Sequence, residues 1–170
     1  MVVGCQSSWQ PTVDRNTDDS LPKRVGKSSD AAMIRQISSL EKKGVTVITM
    51  GQNYLVSIPT SRLFANQSPR LLWDAYDTLN AVVAYLSEFR KVAINVTAYG
   101  DTYNHSERRE IALSKARASF VANYLWSQGL DTRLLISTGA GPVHPIVLSG
   151  SQRDQSSNSR IEITFRDEVA

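Results

Sequence analysis

The sequence has very little of the residue types and motifs on which several classes of protein depend. Its 170 residues include one cysteine and two histidines. One cysteine cannot close a disulfide within the chain, and His105 and His144, which have no cysteine beside them, argue against a zinc site. A phosphate-binding loop, a dinucleotide fingerprint and carboxylates spaced for hydrolysis are missing as well. The sequence therefore predicts no metal, no other cofactor and no enzyme.

Long apolar runs and a strong charge imbalance are also missing. No segment approaches the roughly 20 apolar residues of a membrane-spanning helix, so the chain is predicted not to cross a membrane. The net charge is +3, with 19 Lys and Arg scattered among 16 Asp and Glu. Such a surface favours anionic surroundings only weakly and predicts no nucleic-acid partner. The composition is 41% hydrophobic and 21% charged, as expected of one globular domain with a core.

The single cysteine, Cys5, ends the run "MVVGC". A short apolar run followed by Gly and Cys resembles the lipobox of bacterial lipoproteins, in which the cysteine is acylated, for example with palmitate. Most of a signal peptide is missing before Cys5, so the resemblance implies a start that is truncated or set too late. The alternative is a chance match. Gln6 is not Asp, the residue that commonly retains lipoproteins at the inner membrane, so the resemblance implies an outer-membrane anchor.

The chain after Cys5 divides into a polar segment and a patterned domain. Residues 6–29 are rich in Ser, Pro, Asp and Lys and show no apolar period, which predicts a flexible tether. Residues 30–170 are predicted to form one domain. Its helices are expected from Asp30 to Gly44, from Ser68 to about Phe89, and after Asp101 to Gly129.

Alternating apolar residues between these helices predict strands. They are "VTVITM" and "YLVSIP", joined as a hairpin, followed by "VAINVTAY", "RLLISTG" and "RIEITF". Two main helices over one sheet make an α+β sandwich. Trp73 and Trp126 are expected to pack against its core.

Arg117 does not fit the pattern of its own helix. At about 100° per residue, it falls inside the apolar arc that also contains Leu113 and Val121. Because a buried arginine without a partner costs several kcal/mol, Arg117 needs a carboxylate. That carboxylate comes either from the chain, with Asp101 and Glu110 as candidates, or from a ligand.

Four separated blocks, in a fixed order, resemble the OmpA-like peptidoglycan-binding domain found in OmpA, Pal and MotB. The family's strand ending in a Gly-His-Thr-Asp turn corresponds to "AYGD", and its Leu-Ser-x-x-Arg-Ala helix to "LSKARA". Its Gly-x-Gly loop with a nearby Pro corresponds to "GAGPVHP", and its Asn-Arg-Arg-Val-Glu-Ile strand to "NSRIEI". The resemblance implies a two-layer α+β sandwich, with a mixed β-sheet and two main helices on one face.

The resemblance also implies a ligand for Arg117. The family binds the peptide stem of peptidoglycan through diaminopimelate, whose side chain ends in an ammonium and a carboxylate. Asp101 and Arg117 match the two anchoring positions, since an aspartate takes the ammonium and an arginine takes the carboxylate in a bidentate pair. Tyr99, Thr102 and Arg160 belong to the same expected site.

Some positions depart from the family pattern. Glu110 stands where the family has Asn, and Ser159 replaces the first Arg of the last motif. Tyr99 and Gly100 replace the His-Thr that precedes Asp101. The added anion and the lost cation are expected to weaken the capture of a carboxylate, or to abolish it.

Together these inferences predict an outer-membrane lipoprotein whose periplasmic domain binds peptidoglycan non-covalently and anchors an envelope complex. The departures and the chain length are similar to those of the OmpA-like lipoproteins of type IVB secretion systems. That similarity implies other secretion-complex or envelope subunits as partners. The alternative is a purely structural assembly subunit that keeps the fold and has lost peptidoglycan binding. A wall-cleaving enzyme is a more distant alternative.

Overall fold

The computed structural model describes residues 30–100, 106–143 and 158–168. Several sequence-predicted features therefore lie outside the described residues. They are Cys5, the tether at 6–29, Asp101, Thr102, His105 and His144.

The helices of the described ranges are α1 (Asp30–Lys42), α2 (Thr60–Leu63), α3 (Ala75–Leu86) and α4 (Glu107–Ser127). Helix α1 is followed by Gly44 at φ +79° and α4 by Gly129 at φ +68°, a left-handed conformation that glycine adopts without steric cost. The Ser106 side chain caps α4 by accepting a hydrogen bond from the Arg109 N–H. No helix in these ranges combines the length and the apolar character that crossing a bilayer requires.

The strands are β1 (Thr46–Met50), β2 (Asn53–Pro59), β3 (Ala93–Tyr99), β4 (Leu134–Gly141) and β5 (Arg160–Arg166). They form one sheet in the order β1-β2-β5-β3-β4. Strand β5 is antiparallel to both β2 and β3, whereas β3 and β4 are parallel. The prediction of an α+β fold with a mixed sheet is confirmed.

One face of the sheet forms the core together with the helices. Val56, Ile163 and Val96 lie side by side across β2, β5 and β3, and each has no exposed surface. Burying a side chain of this size contributes about 1.5–3 kcal/mol. Helices α3 and α4 supply the opposing layer of the same core: Leu79, Val82, Leu86, Val121 and Leu125.

Two predictions about the core helices and aromatic residues are wrong. Trp73 is 92% exposed and Trp126 is 63% exposed, because the interior is filled by aliphatic side chains and by Tyr85 and Phe89. Helix α3 begins at Ala75 rather than at Ser68.

The backbone before α3 is held in a loop by long-range contacts. The Leu72 N–H donates to the Leu63 carbonyl and the Ala65 N–H to the Arg70 carbonyl, and an isolated bridge pairs Phe64 with Leu71. These bonds keep this segment out of the helix that the sequence predicts from Ser68. We refer to residues 64–72 as the pocket loop.

Helix α4 lies directly against the backbone of β4 at the "GAG" block. A Cβ atom at Gly139 would lie 2.3 Å from the backbone nitrogen of Lys115. At Gly141, where φ is +64°, a Cβ would lie 2.6 Å from Ile111 Cγ1. Only glycine permits this approach, which sets the position of α4 and of the side chains that it carries.

Candidate binding site

Arg117 borders a cavity of about 360 Å³ between α4, α2, the pocket loop and the residue that precedes β5. The residue is only 6% exposed, so its place in the apolar arc reflects real burial. The cavity is lined by Thr60, Ser61, Phe64, Ala65, Asn66, Gln67, Leu72, Arg117 and Ser159.

The guanidinium of Arg117 is held by its inner nitrogen. Its Nε donates a hydrogen bond of 3.1 Å to the carbonyl oxygen of Ser68, and its Cζ lies 5.4 Å from the centroid of the Phe64 ring, within cation–π range. Among the residues that the structure describes, no carboxylate forms a salt bridge with Arg117. The two terminal nitrogens, which form the fork that binds carboxylates bidentately, do not take part in the hydrogen bond to Ser68.

Burial and charge act on Arg117 in opposite directions. Removal from water lowers the pKa of the guanidinium, and the negative charge of Glu110 partly opposes this by raising it. Glu110 therefore interacts with Arg117 electrostatically without forming a salt bridge. The sequence offered Glu110 and Asp101 as carboxylate partners for Arg117. Asp101 lies outside the described residues.

Glu110 is itself buried, at 2% exposure, two turns before Arg117 on α4. Its Oε1 has no hydrogen-bond partner among the described residues. Its Oε2 lies beneath the end of β3, 2.8 Å from the position of a Cβ at Gly100. A buried carboxylate oxygen without a partner is costly, and such atoms are few in native structures.

The pocket loop contributes a second polar atom without a partner. Gln67 lines the cavity, and its Oε1 is buried without a hydrogen-bond partner within the described part of the chain. Its backbone has φ +50°, and within the described ranges no other residue except glycine has a positive φ. Backbone strain of this kind is typical of binding sites. The sequence analysis did not identify Gln67, and nothing in its local pattern marks it.

Tyr99 and Arg160 form a separate cluster with Glu162. Tyr99 and Arg160 are paired across β3 and β5, and the Arg160 Cζ lies 4.0 Å from the Tyr99 ring centroid. Arg160 Nε donates a hydrogen bond of 2.6 Å to Glu162 Oε1. Burial, together with the charge of Glu162 and a hydrogen bond to it, raises the pKa of the Tyr99 phenol, which Arg160 partly lowers.

The cluster of Tyr99, Arg160 and Glu162 and the Arg117 cavity lie on different faces of the sheet, and both reach the start of β5. Side chains alternate along a strand, so Arg160 and Glu162 face away from the core that contains Ile161 and Ile163. Ser159, next to Arg160, lines the Arg117 cavity. The structure therefore brings Tyr99 and Arg160 together and places Arg117 in a neighbouring cavity.

Nothing in the described ranges groups three acidic, histidine or cysteine side chains so that they could hold a metal ion. The cavity instead is lined by one buried cation, Arg117, and by the amide of Gln67, whose backbone is strained, while the buried anion Glu110 lies on the same helix as Arg117. The guanidinium suits a small ligand that carries a carboxylate, and the negative charge of Glu110 weakens that attraction.

Residues 63–159, more than half of the chain, match the OmpA family. The chain is 31% identical over 141 residues to the probable lipoprotein YiaD of Escherichia coli, covering 83% of this chain and 64% of that protein. It is 31% identical over 100 residues to the peptidoglycan-binding protein ArfA of Mycobacterium tuberculosis, covering 59% and 30%. The chain thus spans less than two thirds of the length of these relatives.

Solved structures share the fold at low sequence identity. The cell wall anchor of the type VI secretion system from Pseudomonas aeruginosa superposes with a TM-score of 0.68 at 23% identity, covering 80% of this chain and 97% of that one. The periplasmic domain of Helicobacter pylori MotB superposes with a TM-score of 0.61 at 20% identity, covering 74% and 81%.

Proposed function

Because the chain belongs to the OmpA family, we propose that its domain binds the peptide stem of peptidoglycan non-covalently in the Arg117 cavity. The observation that carries this proposal is the buried guanidinium of Arg117, which forms no salt bridge with any described carboxylate. A carboxylate from the ligand supplies the missing partner, and in a buried site a bidentate pair is strong. The similarity to the peptidoglycan-binding protein ArfA supports peptidoglycan as the ligand.

Diaminopimelate fits the charges of this cavity. Its side-chain carboxylate binds the terminal nitrogens of Arg117, and its ammonium binds a carboxylate of the protein. Asp101, which follows Gly100 at the end of β3, is the proposed ammonium-binding residue, with Thr102 beside it. Arg160 and Tyr99 support this end of the sheet through their contacts with each other and with Glu162.

Two soluble peptides that differ at one position test the proposal. One carries diaminopimelate and the other carries lysine, which has the ammonium but lacks the terminal carboxylate. The full chain is expected to bind the diaminopimelate peptide more tightly, and Arg117→Ala is expected to lose that preference. The control is Arg108→Ala, an exposed arginine on the same helix, which is expected to retain it. Equal binding of the two peptides by the parent chain would contradict the proposal.

The wider setting proposed for the domain is the periplasmic side of the outer membrane, with Cys5 as the acylated anchor. The similarity of the chain to the probable lipoprotein YiaD supports this, as does the run before Cys5. Two or more acyl chains hold a protein stably at a membrane. Cys5→Ser in the complete precursor is expected to move the protein out of the membrane fraction. An unmodified Cys5 in mass spectra of the native protein would contradict it.

At the level of assembly, the proposed role is that of an anchoring subunit of a secretion-system core complex, similar to DotK of the type IVB system. A cell wall anchor of another secretion system has the same fold, which makes the role physically reasonable. The alternative is an assembly subunit that has lost peptidoglycan binding, and the extra anion at Glu110 favours it. Sedimentation of the parent chain with insoluble peptidoglycan separates the two, since a purely structural subunit stays in the supernatant.

A further inference from the structure

A group of exposed aromatic side chains lies beside the Arg117 cavity and has no role in the function proposed above. Trp73 is 92% exposed, and Tyr76 and Phe120 are each 39% exposed. Together with Arg70 and Leu71 they line a shallow depression of about 340 Å³. We call these five residues the aromatic surface.

The rings of the aromatic surface are braced from one side. Trp73 and Tyr76 are in edge contact, with centroids 6.3 Å apart, and Tyr76 makes a similar contact with Tyr124 at 5.7 Å. The Tyr124 hydroxyl is fixed by a hydrogen bond of 2.6 Å to Asn80. These contacts hold Tyr76 in place and leave most of the Trp73 indole in solvent, although exposing an indole is unfavourable.

The aromatic surface and the cavity are neighbours in the fold. Arg117 and Phe120 lie one turn apart on α4, about 4.5 Å along the helix axis. At the end of the pocket loop, Leu71 belongs to the aromatic surface and the next residue, Leu72, lines the cavity. A ligand longer than one residue that is bound at Arg117 therefore lies within reach of the aromatic surface.

We propose that the aromatic surface binds sugar units of the glycan strand to which the bound peptide is attached. This inference rests on the proposed function, because the peptide in the cavity is what brings the glycan near. Peptide stems are joined covalently to the glycan, and an extended stem spans at most about 3.3–3.6 Å per residue. A peptide anchored at Arg117 thus keeps its sugar close to this part of α4.

The chemistry of the aromatic surface suits a sugar. One face of a pyranose ring is made of C–H groups and packs on an aromatic ring, while its hydroxyl and acetamido oxygens accept hydrogen bonds. The Arg70 guanidinium and the Trp73 indole N–H are donors at this position, and none of the described residues that line the depression carries a carboxylate. A stable protein partner needs roughly 800 Å² on each side, far more than three rings provide.

A peptide-free oligosaccharide tests the surface separately from the cavity. The probe is a tetramer of N-acetylglucosamine, added to a Trp9→Phe, Trp126→Phe chain in which Trp73 is the sole tryptophan. Binding is expected to shift the Trp73 fluorescence. Trp73→Ala in the otherwise unchanged chain is expected to weaken sedimentation with insoluble peptidoglycan by roughly fivefold to tenfold, with binding of the diaminopimelate peptide unchanged. The matched control is Trp126→Ala, an exposed tryptophan on α4 outside the aromatic surface.

The outcomes separate this inference from the proposed function. Unchanged Trp73 fluorescence together with parental sedimentation of Trp73→Ala would overturn the inference and leave the proposed function intact. Loss of co-purifying envelope proteins from Trp73→Ala, with parental sedimentation, would also overturn it and assign the surface to a protein partner. A fluorescence shift in a chain that fails to bind the diaminopimelate peptide would support the sugar site and contradict the peptide site.

Discussion

The Nε of Arg117 donates a hydrogen bond of 3.1 Å to the carbonyl oxygen of Ser68, 49 residues earlier in the chain. This bond ties α4 to the pocket loop and fixes the plane of the guanidinium. An arginine held at its inner nitrogen presents its two terminal nitrogens together, which is the geometry that a carboxylate binds bidentately.

Replacing Arg117 with lysine keeps a positive charge but removes the planar fork. We expect Arg117→Lys to bind the diaminopimelate peptide much more weakly than the parent chain, because an ammonium cannot bind a carboxylate bidentately. Calorimetric titration measures the difference. If Arg117 serves only as a structural partner of Glu110, Arg117→Ala and Glu110→Ala should lower the melting temperature by similar amounts and peptide affinity should not depend on the fork.

Replacing Glu110 with glutamine removes a buried negative charge and keeps the shape of the side chain. Because that charge acts on Arg117 and repels an incoming carboxylate, we expect Glu110→Gln to bind the diaminopimelate peptide about threefold to tenfold more tightly, a difference of about 0.7–1.4 kcal/mol. The same titration reports it. Weaker binding by Glu110→Gln would instead mean that Glu110 holds the ammonium of the ligand.

Gln67 is expected to lower the stability of the domain and to contribute to ligand binding. Gln67→Gly relieves the strain of φ +50°, which costs about 1 kcal/mol for a residue with a Cβ, but it removes the amide that lines the cavity. We expect a higher melting temperature and weaker peptide binding. Gln67→Ala is the control, since it also loses the amide but keeps the strain, and it should bind as weakly as Gln67→Gly with a lower melting temperature than that variant. Parental affinity in both variants would exclude Gln67 from the site.

Gly139→Ala is expected to destabilise the domain because its Cβ would meet the backbone of α4 at 2.3 Å. Backbone atoms cannot move aside as a side chain does, and overpacking of this kind costs about 1–3 kcal/mol. Gly51→Ala is the comparison, because Gly51 has a positive φ and open space around it and loses about 1 kcal/mol from conformation alone. Urea unfolding of the two variants should rank Gly139→Ala as the less stable.

Lys91 makes stability depend on pH at alkaline values. It is 1% exposed, and burial lowers the pKa of its amino group, an effect that Asp131 and Asp167 partly oppose. A lysine whose pKa is lower in the folded state favours folding as pH rises from that pKa toward the unfolded value of 10.5. We expect the stability of the parent relative to Lys91→Met to increase over this range in denaturant unfolding. A constant difference between pH 8 and pH 10 would contradict the prediction.

The sequence was sufficient for the fold because the apolar period reports which face of an element is buried. The hairpin of β1 and β2, the strands after it and the long helix α4 all lie near their predicted positions. The apolar period could not locate the start of α3, because that start depends on tertiary contacts of the pocket loop. One of them is the hydrogen bond from the Leu72 N–H to the Leu63 carbonyl. The exposure of Trp73 was not predictable either, because the residue type does not reveal which other residues cover a side chain.

The candidate site was predictable in part. The burial of Arg117 could be inferred from its place on the helix, and the electrostatic effect of Glu110 on it was among the alternatives. The contribution of Gln67 was not predictable, since its strained backbone depends on the folded pocket loop. The binding roles of Arg117, Arg160 and Tyr99 stay predictions, as do the roles of Asp101, Thr102 and Cys5, which lie outside the described residues.

Strand β5 is late in the sequence and central in the sheet, between β2 and β3. Asn53 pairs with Arg166, and Ile94 pairs with Phe165. During synthesis, the sheet therefore cannot close between β2 and β3 until residues 160–166 have left the ribosome, since β5 is the strand that lies between them. Contacts between such distant residues also make folding slow. Until residues 160–166 are made, the inner edges of β2 and β3 lack their partner strand, and such unpaired edges make a nascent chain prone to aggregation and dependent on chaperones.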